Sequence, residues 1–146
     1  MIPDQDPLTG LLPPGVHLAT WDELVARFGH TDHRRELLDG LLRAARALRD
    51  AGCRRLYVDG SFVTTKEHPN DHDNCWDIDG VNPDVLDPVL LDFDDLRAAQ
   101  KAKFGGELFP ASWQADRNGT PFFEFFQRDR EGQPKGIIAL NLMELQ

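Results

Sequence analysis

Residues 56–73 combine two groups of side chains that could act together. Gly60-Ser61 follows the apolar run Leu56-Tyr-Val58, and after nine further residues come Asp71 and Asp73. If the second segment is a strand, both carboxylates project from one face, because side chains alternate along a strand. Two carboxylates on one face, opposite a small-residue turn, suit a Mg²⁺ ion carrying nucleotide phosphates. Glycine lets the backbone come close to a phosphate, and the Ser61 hydroxyl can donate to a phosphate oxygen. The following Phe62-Val-Thr64-Thr65 can open a short helix whose N-terminal amides favour an anion. Thr64 and Lys66 are further candidates for nucleotide contact, against the plainer reading of Lys66 as a solvated side chain. The competing reading of Pro69-Asn-Asp-His-Asp-Asn74 is a polar turn in which Asn and Asp cap their own backbone. Against it stands the run of alternating acids into an apolar strand, which is costly unless a cation neutralises them.

Other constellations are weaker. His68, His72 and Cys75 have spacings that zinc ligands can show, but no fourth ligand accompanies them. Asp71-x-Asp73-x-Cys75-Trp76 lacks the oxygen ligand and glycine an EF-hand loop needs at its fifth and sixth positions. Phe122, Phe123, Phe125 and Phe126 could stack bases, although such residues more often fill a core.

The elements that must position these residues can be read from periodicity. Residues 1–15, with four prolines and two glycines, read as an irregular lead-in. Thr20-Trp-Asp-Glu23 has the form of a capping box, opening a short helix that Gly29 can close. Leu38, Leu41, Leu42, Ala45 and Leu48 recur at helical spacing, which predicts a long amphipathic helix over about 32–51, stopped by Gly52. Arg34, Arg35, Arg43, Arg46 and Arg49 then belong to its solvated faces. Arg55–Asp59 and Asp71–Ile78 are expected strands. A helix should start at Asp92 or Asp94 and end near Lys103, before a third strand over Glu107–Gln114. Pro121–Arg128 and Gly136–Leu142 flank a turn-rich segment and predict a C-terminal β-hairpin.

Composition narrows the class. The 146 residues suffice for one domain over 1–146. No apolar run has the length of a membrane span, and the N-terminus lacks the features of a signal peptide, so a cytoplasmic protein with no membrane partner is expected. Cys53 and Cys75 read as reduced, buried thiols. A net charge of −9 argues against a protein that coats nucleic acid by charge alone.

Gly60-Ser61, a linker, then Asn70-Asp71-His72-Asp73 resembles the nucleotidyltransferase signature of the DNA polymerase β superfamily. In that signature a Gly-Ser turn after the first strand precedes Asp-x-Asp or Asp-x-Glu on the second. The resemblance covers about residues 32–115 and is nearest to small stand-alone bacterial nucleotidyltransferase-like proteins, some of which act in toxin–antitoxin pairs. It implies an α/β (α+β) fold, with a single nucleotidyltransferase-like domain whose mixed β-sheet is flanked by helices. It also implies that Asp71 and Asp73 hold Mg²⁺ and that Ser61 touches the terminal phosphates of an NTP. The nucleotidyl group would pass to an RNA or protein hydroxyl, with a cognate partner protein as a further expectation. The alternative is a catalytically inactive member that binds nucleotide or a protein partner. The family uses a third carboxylate on an adjacent strand; Glu107 is the best candidate, with Asp77, Asp79, Asp116 and Glu124 as alternatives. The linker lacks the Arg-Gly pair many relatives carry, and Lys66 is the residue that could compensate.

Overall fold

A computed structural model describes residues 1–145. The strands are β1 (Gly15–Ala19), β2 (Arg55–Asp59), β3 (His72–Trp76), β4 (Gly106–Pro110) and β5 (Gly136–Asn141). The α-helices are α1 (Trp21–Phe28), α2 (Asp32–Asp50), α3 (Asp94–Phe104) and the single turn α4 (Phe122–Phe125). The strands form one mixed sheet in the order β1-β5-β2-β3-β4. The β1/β5 and β3/β4 pairs are parallel, and β2 runs antiparallel to both β5 and β3. The α/β (α+β) class with a mixed sheet is therefore the observed one. No helix among the described residues is long and apolar enough to cross a membrane.

Local chemistry accounts for most boundaries. Thr20 and Glu23 form the reciprocal capping box at the start of α1, and Gly29 caps its end. Thr31 caps α2, whose Leu37, Leu38, Leu41, Ala44, Ala45 and Leu48 are buried. They pack in one core with Leu56, Val58, Trp76, Leu108, Ile138 and Leu140 from one face of the sheet. Gly40 lies inside this helix because α3 crosses there: a Cβ at that position would stand 2.2 Å from the Phe104 carbonyl oxygen. The opposite face carries Tyr57, Cys75, Phe109 and Ile137, which pack with Phe122, Phe123 and Phe126.

Three expectations need correction. The C-terminal hairpin does not form. Phe122–Phe125 is helical, and β5 pairs with β1 and β2 in the sheet interior. Phe122 and Phe126 are four residues apart and both pack on the Phe109 ring, a helical spacing that the dense aromatic run concealed. The irregular lead-in is followed at once by β1, an edge strand too short to show alternation beside Pro13-Pro14. Arg34 is also not on a solvated face but fully buried.

Arg34 fixes the loop that follows Gly60. Its guanidinium donates to the carbonyls of Phe28 (3.3 Å), Phe62 (2.7 Å), Thr64 (3.2 Å) and Lys66. It also lies 5.1 Å from the Phe62 ring centroid and 5.9 Å from that of Phe28. No short side chain can replace this fork. Arg34→Met is expected to lower unfolding free energy in urea by about 3 kcal/mol or more, because several buried carbonyls lose a charged donor. Arg34→Lys should recover only part of that loss; full recovery would contradict the bridging role.

Candidate functional site

The register of the sheet builds the site. Asp59 on β2 is paired with Asp73 on β3, and Asp73 with Glu107 on β4. Cross-strand partners share a face, so three carboxylates stand in a row. Asp71, just before β3, has the same parity as Asp73 and joins them. One oxygen from each of Asp71, Asp73 and Glu107 lies within 4.8 Å of the others. All three residues are half-buried. Of the alternatives for a third carboxylate, Asp77 accepts from the Tyr57 hydroxyl at 3.2 Å, and Asp116 caps its own loop through the amides of Asn118 and Thr120. Glu124 is exposed on α4 and Asp79 in a loop beyond β3.

Gly60 closes the site from β2. Its φ of 85° belongs to the left-handed half of conformational space, and a Cβ there would meet Asp73 Oδ2 at 2.8 Å. Both constraints call for glycine. The short helix expected after Gly60 is a three-residue 3₁₀ turn, Ser61–Val63. Thr64 is used inside this loop: its hydroxyl donates to the Ser61 carbonyl at 2.6 Å and accepts from the Lys66 amide at 3.2 Å. The Lys66 side chain is exposed, and its charge favours ionisation of Asp71.

The zinc reading fails on geometry. His72 and Cys75 project to opposite faces, and His68 stacks on His33 with ring centroids 3.8 Å apart. Burial holds the His72 imidazole neutral, with its pKa lowered to about 4. Its Nε2 lies 2.8 Å from the Phe104 carbonyl oxygen and its Nδ1 2.6 Å from Asn74 Nδ2. Nε2–H therefore donates and Nδ1 accepts. Asn74 also donates to the Glu107 carbonyl at 3.0 Å, so His72 ties β3 to the end of α3 and Asn74 ties it to β4. Cys53 and Cys75 are free and buried, as expected, and burial raises both thiol pKa values.

Several charged partners were not foreseen. Lys135 reaches Asp59 at 2.6 Å, with both side chains largely buried. Arg97 and Lys101, on α3, contact Glu107 at 3.1 and 3.3 Å. Asp59 was detectable, since it directly precedes Gly60 and has the parity opposite to the core-facing Leu56 and Val58. Lys135 lies 76 residues away in sequence, and nothing local announces it. The crowding has a measurable effect. Asp73 is pushed up to about 7, first by burial and then by the neighbouring charges of Asp71, Glu107 and Asp59. Asp71 is raised too, by burial and Glu107. An all-oxygen donor set in which burial and repulsion oppose ionisation of Asp71 and Asp73 suits a hard divalent cation, which would hold both ionised.

The chain belongs to a family of unknown function, DUF6932, whose profile matches residues 3–141. It is similar to penicillin-binding protein 1A of Neisseria gonorrhoeae, at 24% identity over 110 residues. The same protein of strain ATCC 700825 / FA 1090 matches equally. The match takes in 73% of this chain but spans only 12% of the length of those relatives. No solved structure matches the chain significantly.

The raised acid pKa fixes the sign of a pH effect. A carboxyl that titrates near 7 when folded and near 3.8 when unfolded binds its proton more tightly in the folded state. Its contribution to stability is complete below pH 4 and is lost as pH rises through about 7. His72 acts in the opposite direction between about 4 and 6.5, so total stability is not a clean readout. The difference between Asp73→Asn and the parent is. In EDTA, thermal melts should show the variant gaining on the parent from pH 5 to pH 8, and added Mg²⁺ should restore the parent only. A difference that does not change with pH would exclude an elevated Asp73 pKa.

Proposed function

We propose that this chain is a Mg²⁺-dependent nucleotidyltransferase, resembling those of the DNA polymerase β superfamily. The observation that carries the reading is the convergence of Asp71, Asp73 and Glu107 beside the Gly60-Ser61 turn, on the sheet face away from α2. The donors are hard oxygens from three strand-borne or strand-adjacent acids, and a cation would relieve the raised pKa values of Asp71 and Asp73. The metal, when bound, would neutralise phosphate charge and activate an acceptor hydroxyl. Asp71, Asp73 and Glu107 would hold it, while Gly60 admits the phosphates closely and Ser61 donates to them. In the reaction an acceptor oxygen bonds to the α-phosphorus, and the bond from that phosphorus to the bridging oxygen breaks. Pyrophosphate leaves, and the hydroxyl proton passes to a carboxylate oxygen of the cluster. The acceptor is an RNA or protein hydroxyl. The acidic balance of the chain favours a compact acceptor contact over an extended nucleic-acid track.

One observation supports the inactive alternative: both Glu107 oxygens are engaged by cations of the protein itself. A labelling assay separates the readings. Purified protein with each α-³²P-labelled NTP, Mg²⁺, and cellular RNA or candidate partner proteins should label an acceptor. Asp71→Ala combined with Asp73→Ala should reduce labelling to background, and so should EDTA. Labelling that survives the double change refutes the assignment of these acids. Mg²⁺-dependent NTP binding with no transfer to any acceptor would favour the binding module.

A further inference from the structure

The cations on Glu107 raise a question that the metal reading alone does not answer. Arg97 Nε is 3.1 Å from Glu107 Oε2, and Lys101 Nζ is 3.3 Å from Oε1. Arg97 lies in a left-handed stretch near the start of α3 and Lys101 in its regular helical body, and both side chains reach Glu107. Glu107 is the third member of the metal cluster, so a divalent ion using it competes with both for the same carboxylate. We propose that Arg97 and Lys101 are resident counter-cations, which occupy Glu107 in the metal-free protein and move to the triphosphate of the incoming nucleotide when a divalent ion takes Glu107. This inference rests on the proposed metal site and assigns the triphosphate-binding cations that Gly60 and Ser61 do not supply.

The local structure fits an exchange of partners better than a permanent brace. Buried Gln100, between the two cations in sequence, donates to the Val89 carbonyl at 3.2 Å and accepts from the Leu108 amide at 2.8 Å. That clamp keeps the body of α3 against β4, so Lys101 can redirect only its side chain, which is 40% exposed. Arg97 lies on the other side of the clamp, where the backbone is strained. Asp95, Leu96 and Arg97 have φ values of 51°, 56° and 63°, a left-handed run without glycine. Strain of this kind persists where surrounding contacts enforce it, and the Arg97–Glu107 pair is one such contact. Releasing Glu107 lets the segment relax and carries the guanidinium with it. The Phe109 ring, 5.7 Å from the guanidinium carbon, offers a surface along which it can move. Charge balance agrees. A nucleoside triphosphate carries more negative charge than one divalent ion neutralises, and a guanidinium with an ammonium makes up the remainder.

Two affinities should change in opposite directions. Mn²⁺ binding to the full chain, followed by the electron paramagnetic resonance of free Mn²⁺, is expected to become several-fold tighter in Arg97→Gln and in Lys101→Met. In saturating Mn²⁺, calorimetric binding of inorganic tripolyphosphate should weaken about tenfold or more in each variant, since each loses a charge-assisted contact. Tripolyphosphate makes the result independent of the base. Both cations are partly exposed, so the variants should still melt cooperatively, and Lys101→Met serves alone if Arg97→Gln does not fold. Unchanged or weaker Mn²⁺ binding overturns the proposal, and so does unchanged tripolyphosphate binding. Asp73→Asn separates the two levels of inference. If the parent binds Mn²⁺ no better than Asp73→Asn, the metal site itself fails and this proposal falls with it. If Asp73→Asn loses Mn²⁺ while Arg97→Gln and Lys101→Met bind it no more tightly than the parent, the metal site stands and only the exchange is refuted.

Discussion

Repulsion among carboxylates on one face of the sheet is the constraint around which this molecule is arranged. Asp59, Asp73 and Glu107 stand opposite one another on three adjacent strands, and Asp71 joins them from the start of β3. Like charges directly opposed across strands destabilise a sheet, and partial burial magnifies the effect. The protein meets the cost unevenly. Lys135 offsets Asp59, and Arg97 with Lys101 offsets Glu107. Among the described residues, neither Asp71 nor Asp73 is in a salt bridge, and Asp73 retains a proton up to about pH 7. Direct ion pairs occupy the two ends of the row and, among the described residues, none reaches its centre, which is where a cation would sit.

Holding such a cluster together requires stiff support, and β3 provides it by alternation. Asp71 and Asp73 face the site, while His72 and Asn74 face the core and tie the strand to α3 and β4. The segment from Gly60 to Lys66 needs a different device, because it has little regular structure of its own. Arg34 supplies it by reaching from α2 to several of its carbonyls. The cluster and the turn beside it are thus fixed by two separate polar networks, one behind the strand and one beneath the loop.

The legible features of the sequence were those with a local signature. The capping box of α1, the apolar stripe of α2 and the parity of Asp71 and Asp73 each depend on residues a few positions apart. Glu107 was reachable as the first acid of a strand after Gly105-Gly106, although only the register selects it over Asp77 or Glu124. What could not be read depends on distant partners. Arg34 has the spacing of a surface arginine until Phe28 and the 62–66 loop close over it. The Phe122–Phe126 run has no alternation to argue against a strand, and Phe109 decides the matter by favouring a helical turn. Lys135 becomes a site residue only because β5 inserts between β1 and β2.

That insertion gives the Asp59–Lys135 pair a meaning beyond cohesion. Burying an ion pair costs desolvation that an apolar pair would avoid, so stability alone does not account for it. Burial raises the Asp59 pKa and Lys135 opposes the rise, so the pair sets both an acid and a cation beside Asp73. At Asp73 the two act in opposite directions, Asp59 raising the pKa and Lys135 lowering it. An apolar replacement would remove both effects and leave Asp73 to burial, Asp71 and Glu107. With the pair in place, Asp73 titrates near neutrality, where a divalent ion would compete with a single proton for the same oxygens and its binding would release that proton. Lys135 directly precedes β5, so the last strand of the sheet also completes the electrostatic environment of the site.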